Sequence, residues 1–157
     1  MAQNKKPLTP AQIKKAFYKQ HGKALNAAIS KVFGKDSMKL ATQTLANAPK
    51  LDTSKSRADL SAMGKGDPTE ARNRPNSDTY QAKDGTIFIP TETVASGNMN
   101  AISGDYAHEL GNLLDVQING FKGHEENYGN PDPKTNFGDP DTGMNVEVTM
   151  FGSPQYP

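Results

Sequence analysis

Tyr106 to Asp115 reads YAHELGNLLD. On a helix, His108 and Asn112 stand one turn apart at i and i+4, and Asp115 lies on the same side a turn further on. Two donors so spaced can reach one ion, and a glutamate directly after the first can reach a water bound to it. A zinc ion there would polarise a substrate carbonyl and bring the pKa of its water towards about 7. Glu109 would take that water's proton and hand it to the leaving group. Asn112 is a poorer zinc donor than an imidazole, and its amide oxygen suits a hard cation such as Ca2+ or Mg2+ better. Further donors are needed. The sequence offers Asp115 on the helix, His124 after it, and Glu147 in the last element.

On a wheel of about 100° per residue, the helix divides cleanly. Gly104, Asp105, His108, Gly111, Asn112 and Asp115 share one sector, and Ile102, Tyr106, Leu110, Leu113 and Leu114 lie opposite, with Glu109 at the edge. Gly111 leaves room for neighbouring backbone. The plain alternative is an amphipathic helix whose polar face is exposed and idle.

The elements that must position this helix are short. Residues 8–20 predict a helix with Thr9 as N-cap and Pro10 at its first position. Residues 23–33 predict a second, ended by Gly34, and residues 36–47 a third, started by Asp36 or Ser37 and stopped before Pro49. ADLSAMG, residues 58–64, holds about one helical turn, and GKGDPTEARNRPNSD, residues 64–78, reads as an exposed connection. Asp84-Gly85 signals a turn, and Thr86 to Ile89 form a β-prone run ended by Pro90. The His-Glu helix is expected from about Ser103 to Ile118, with Asn119-Gly120 as its stop. Residues 144–150 alternate Met144, Val146, Val148 and Met150 with polar neighbours, which suggests a strand; a helix capped by Asp141 or Thr142 competes with it.

Composition bounds the class. The chain has 157 residues, enough for one modest core. It has no cysteine, which excludes disulfides, thiolate metal sites and cysteine nucleophiles. No apolar run is long enough to span a bilayer, and the basic N-terminus lacks the apolar segment of a signal peptide. The protein is expected to be soluble and cytoplasmic when made, and to leave the cell only on a larger carrier or through a dedicated secretion system. The net charge of +1 hides a split. Residues 1–66 hold twelve lysines and one arginine against three acids, a net of +10, and residues 67–157 hold fourteen acids against five basic residues, a net of −9. Such asymmetry fits either a basic half packed on an acidic half or a nucleic-acid-binding arm. Asp132, Asp139 and Asp141 stand among glycines and prolines, where turn chemistry is a commoner explanation than Ca2+ binding.

HELGN, residues 108–112, resembles the active helix of the zincin metallopeptidases, in which His-Glu-Leu-Gly-His is a common form. Asn112 stands where that family has its second histidine. TIFIPTETV, just before the helix, is similar in placement to the edge strand along which zincins align a substrate peptide. The order of basic helices, strand, His-Glu helix and DPDTG tail resembles zincin-like toxin domains at the C-terminal ends of large bacterial secreted or contact-dependent proteins. The resemblance covers mainly residues 84–118, with weaker support to 152. It implies a small α+β domain over residues 1–157, with N-terminal helices beside a short sheet and one active helix. Residues 1–66 would be a basic helical subregion and 80–152 a catalytic-type core. It also implies a zinc-dependent peptidase acting as a toxin or effector, with His108 as metal ligand and Glu109 as general base. A peptide or protein would be its substrate and an immunity protein its partner. The second and third ligands do not carry over by motif. Two other readings stay open: a catalytically inactive zincin-like binding module, and a metal-dependent nuclease whose basic helices grip phosphates.

Overall fold

The first helix begins where Thr9 and Pro10 predict it. In the computed structural model, which describes residues 6–46, 50–64, 80–81, 86–127 and 142–152, Thr9 Oγ1 accepts from Gln12 N at 3.2 Å and Gln12 Oε1 accepts from Thr9 N at 2.9 Å. This reciprocal capping box satisfies two amide groups that the first turn leaves without intrahelical partners. Helix α1 (Pro10–Phe33) then runs unbroken for 24 residues, where the sequence suggested two helices. Glycine inside a helix costs about 1 kcal/mol relative to alanine. Burial on either side of Gly22 outweighs it: Ile13, Phe17, Leu25, Ala28 and Ile29 are all buried, and each large apolar side chain contributes about 1.5–3 kcal/mol. The helix stops at Gly34, whose φ of 84° continues poorly into helix and favours a residue without Cβ.

A short 3-10 turn, Lys35–Ser37, leads into α2 (Met38–Ala46). Strand β1 (Leu51–Asp52), helix α3 (Arg57–Gly64), strand β2 (Tyr80–Gln81) and strand β3 (Ile87–Phe88) follow. The strands make one small sheet in the order β1-β3-β2. β1 pairs with β3 in parallel, Leu51 opposite Ile87, and β2 pairs with β3 antiparallel, Tyr80 opposite Phe88. Helix α3 is capped by Ser56, whose Oγ accepts from Asp59 N at 3.1 Å, and by Glu92, whose carboxylate accepts from Arg57 N at 3.0 Å.

Pro90 ends β3 as predicted, but it also opens a helix. It is the N-cap of α4 (Thr91–Ala95), so the TETV half of the proposed edge strand is helical. Helix α5 (Met99–Asn127) starts one turn earlier than predicted, where Asn98 Oδ1 accepts from Ala101 N at 3.2 Å. It also runs through Asn119-Gly120, the expected stop. That dipeptide signals a turn between two strands; inside a formed helix, where each further residue adds a hydrogen bond, it is only a local penalty.

The last described element corrects the sequence reading most. Residues 142–151 are helix α6 (Thr142–Phe151), not a strand. The buried positions are Gly143, Val146 and Glu147, with Met150 partly buried behind them. This i, i+3, i+4, i+7 spacing is the stripe of a helix. The alternation of Val and Met at period 2 suggested the strand.

The architecture is α+β. Its apolar core joins Ile13, Phe17 and Ile29 of α1, Ala41 of α2, Leu51 of β1, Ile87 of β3, Tyr106 and Leu110 of α5 and Val146 of α6. The basic helices are thus joined to the His-Glu helix by apolar packing. His21 is half-buried, with ring centroids 5.6 Å from Phe17 and 5.1 Å from Phe151. It links α1 to α6. Among the described residues no helix is long and apolar enough to cross a membrane. Residues 65–78 of the connection, the Asp84-Gly85 turn and the aspartates at 132, 139 and 141 lie outside the described residues.

Candidate functional site

Every residue of α5 from 101 to 115 is buried. A helix buried all round is normally apolar all round. This one carries Asp105, His108, Glu109, Asn112 and Asp115 into the interior, with relative exposures of 0–3%. Groups of this kind are expensive to bury without hydrogen bonds or opposite charge. Helix α6 supplies partners for two of them.

The two helices meet at a pair of glycines. A Cβ on Gly111 would lie 2.9 Å from Gly143 Cα and 2.9 Å from Val146 Cγ2. A Cβ on Gly143 would run into the His108 carbonyl oxygen and lie 2.8 Å from Asn112 Oδ1. Hydrogen at both positions lets the backbones close to a distance at which short polar side chains reach across. His108 Nδ1 lies 3.2 Å from Glu147 Oε1, both side chains buried. Asn112 Oδ1 accepts from Gly143 N at 2.8 Å, filling one of the backbone N–H positions that the first turn of α6 leaves open. Glu109 Oε1 lies 4.0 Å from His108 Nε2. The imidazole therefore stands between two carboxylates, bonded to one at Nδ1 and close to the other at Nε2.

The predicted residues separate into two sets. His108, Glu109 and Glu147 come together, although Glu147 meets the histidine at Nδ1. Asn112 is turned to the backbone of α6. Asp115 is buried two turns beyond His108, about 10 Å along the axis at 1.5 Å per residue. His124 belongs to α5 itself, not to a segment after it. Sixteen residues of helix put it about 24 Å from His108, beyond the span of one ion.

The donors present are of the right kind for zinc, an imidazole and carboxylates. Their arrangement is not that of a complete site. Among the described residues no three His, Asp or Glu side chains converge at metal distance, and the Asn112 oxygen serves Gly143. The described residues thus do not fit a three-ligand zinc centre.

On its other side α5 faces α1. The Tyr106 ring packs edge-on against Phe17, centroids 4.7 Å apart, and its hydroxyl lies 3.1 Å from the Tyr18 hydroxyl. Burial, then the neighbouring Tyr18, push the Tyr106 hydroxyl far above the ordinary tyrosine range. Burial also raises Tyr18, partly offset by the hydrogen bond from Tyr106. The sequence reading missed this pair and the Gly111–Gly143 crossing. The glycine pair had one available signal: with residues 142–151 read as a helix, Gly143 and Glu147 share a face at i and i+4.

No protein-family model matches the chain, and no curated protein or solved structure matches it.

Proposed function

We propose that the chain is a hydrolase of peptide or protein substrates, with the His108–Glu147 pair as its proton-handling element and with the toxin or effector role that the zincin resemblance implies. The observation that supports this reading is the buried 3.2 Å contact of His108 Nδ1 with Glu147 Oε1. With Nδ1 donating to the carboxylate, the ring is held in one orientation and Nε2 is left as the basic nitrogen. Nε2 takes a proton from water as the water oxygen attacks the substrate carbonyl carbon. The proton then passes to the leaving nitrogen as the C–N bond breaks. Glu147 compensates the imidazolium formed in between, and Glu109, 4.0 Å from Nε2, adds a second negative charge beside it.

A second reading is favoured by the burial itself. Glu147 is 0% and His108 3% exposed, as expected of a polar network that fixes how two helices cross in a non-catalytic module. Expression of the chain in a bacterial host, with Glu109→Gln and Glu147→Gln beside it, separates the two. The hydrolase reading expects growth arrest and peptide cleavage by the parent, both lost in variants that keep the parent's circular dichroism. A parent that neither arrests growth nor cleaves a peptide library overturns it in favour of the module. Elemental mass spectrometry of the purified protein and of His108→Ala tests the zinc that the resemblance implies: about one ion per chain, lost in the variant, would bring metal back into the mechanism.

A further inference from the structure

Helices α1 and α2 border an open cavity of about 490 Å³. Leu25, Met38 and Leu45 give it apolar walls, and Tyr18, Asn26 and Thr42 place polar groups on them. The His108 site does not line it. Gly22 does, and Gly22 sits in the middle of a 24-residue helix with an ordinary helical backbone. Nothing lies within 4 Å of where its Cβ would be. Neither backbone conformation nor close packing therefore requires glycine there. Its effect is volume: a side chain at this position would project into open space at the cavity wall.

The polar features of the cavity favour an anion. Lys15 and Lys19 are exposed on α1 one turn before Tyr18 and Gly22, and Lys39 is exposed on α2 one turn before Thr42, so they stand beside the lining residues on the same helix faces. From residue 10 to residue 46 the sequence has seven lysines and one acid, Asp36. The Tyr18 hydroxyl, paired at 3.1 Å with that of the fully buried Tyr106, adds a positioned polar group on a residue that lines the cavity.

We propose that this cavity is a binding site for a single-chain amphipathic anion: an apolar tail against Leu25, Met38 and Leu45, and a carboxylate-type head at Tyr18 and the lysine rim. At about 30 Å³ per water-sized group, the cavity holds roughly 16 non-hydrogen atoms, the size of a medium-chain fatty acid. A mostly apolar pocket with a few convergent polar groups is the usual form of a small-molecule site.

Sodium dodecanoate, kept below its micelle concentration, is the probe, titrated by calorimetry against the whole chain. Saturable binding of one molecule per chain is expected, at least tenfold tighter than that of dodecyltrimethylammonium. Gly22→Leu should abolish binding while leaving the melting temperature unchanged or higher, because it fills the cavity and improves helix propensity. Thr42→Leu, on the opposite wall, is the second occluding variant if Gly22→Leu does not fold. Tyr18→Phe should weaken binding about three- to tenfold, and Lys19→Glu by a similar factor. No saturable binding, equal binding of the cationic amphiphile, or undiminished binding by a folded occluding variant overturns the proposal. Co-sedimentation with phosphatidylglycerol vesicles distinguishes the source of the anion. Vesicle association without binding of monomeric dodecanoate makes the patch a membrane contact and overturns the cavity.

Discussion

Helix α5 meets α1 through Tyr106, packed against Phe17 at 4.7 Å between ring centroids, and meets α6 through Gly111, His108 and Asn112. Both faces are buried, yet they are held by different physics. The α1 face is held chiefly by volume and ring contact, with one hydroxyl pair, Tyr106 and Tyr18, beside them, and it accepts side chains of similar size with small adjustments. The α6 face is held by a backbone approach that only hydrogen at the Cα permits, and by two directed polar contacts that fail once the approach lengthens. One helix thus combines a tolerant interface with an exacting one. The exacting one carries the residues with chemistry.

That contrast can be broken most forcefully at Gly143. Gly143→Ala puts a Cβ against the His108 carbonyl oxygen, and a backbone clash has no flexible side chain to yield. It should cost about 3 kcal/mol or more, read as a shift in the urea midpoint; a loss below about 1 kcal/mol would mean the crossing is loose. Next is a matched pair. Glu147→Leu removes the carboxylate that meets His108 Nδ1 at 3.2 Å and should cost about 2–3 kcal/mol, whereas Phe17→Leu on the α1 face should cost less than about 1.5 kcal/mol. Equal losses would erase the distinction between the faces. Asn112→Ala should cost about 1–2 kcal/mol by leaving the Gly143 N–H without its acceptor, with faster amide exchange at the start of α6 as the local readout.

The smallest effect is expected at the tyrosine pair. Tyr106→Phe keeps the ring and removes one hydroxyl, for about 0.5–1.5 kcal/mol. Both hydroxyls are held above their ordinary value. The unfolded chain therefore loses these protons first as pH rises, and the folded state retains more of them. Stability from this source is intact below about pH 10 and declines above it. Alkaline melts of the parent should show that decline, and Tyr106→Phe should flatten it; an unchanged profile would mean that other groups set the alkaline limit.

Legibility in the sequence followed the range of the interactions. The start and end of α1 were readable from Thr9, Pro10 and Gly34 because capping is local. The merger across Gly22 was not, because it depends on the burial of Phe17, Leu25 and Ile29 against distant elements. The polar sector of α5 was readable from spacing alone, since i and i+4 fix neighbours. Its burial was not: sequence shows which residues share a face, not that a second helix covers it. Residues 144–150 misled because Val and Met alternate at period 2 while Gly143, Val146, Glu147 and Met150 recur at helical spacing. Once those residues form a helix, Glu147 turns inward to His108 Nδ1.

The partner of His108 lies 39 residues later in the chain. At a synthesis rate of about 5–20 residues per second, the histidine leaves the peptidyl-transferase centre roughly 2–8 s before Glu147 is made. Throughout that interval α5 has no α6 to cover its polar face. The pair on which the proposed proton transfer rests is therefore completed late in translation, and a nascent chain halted before residue 147 lacks it.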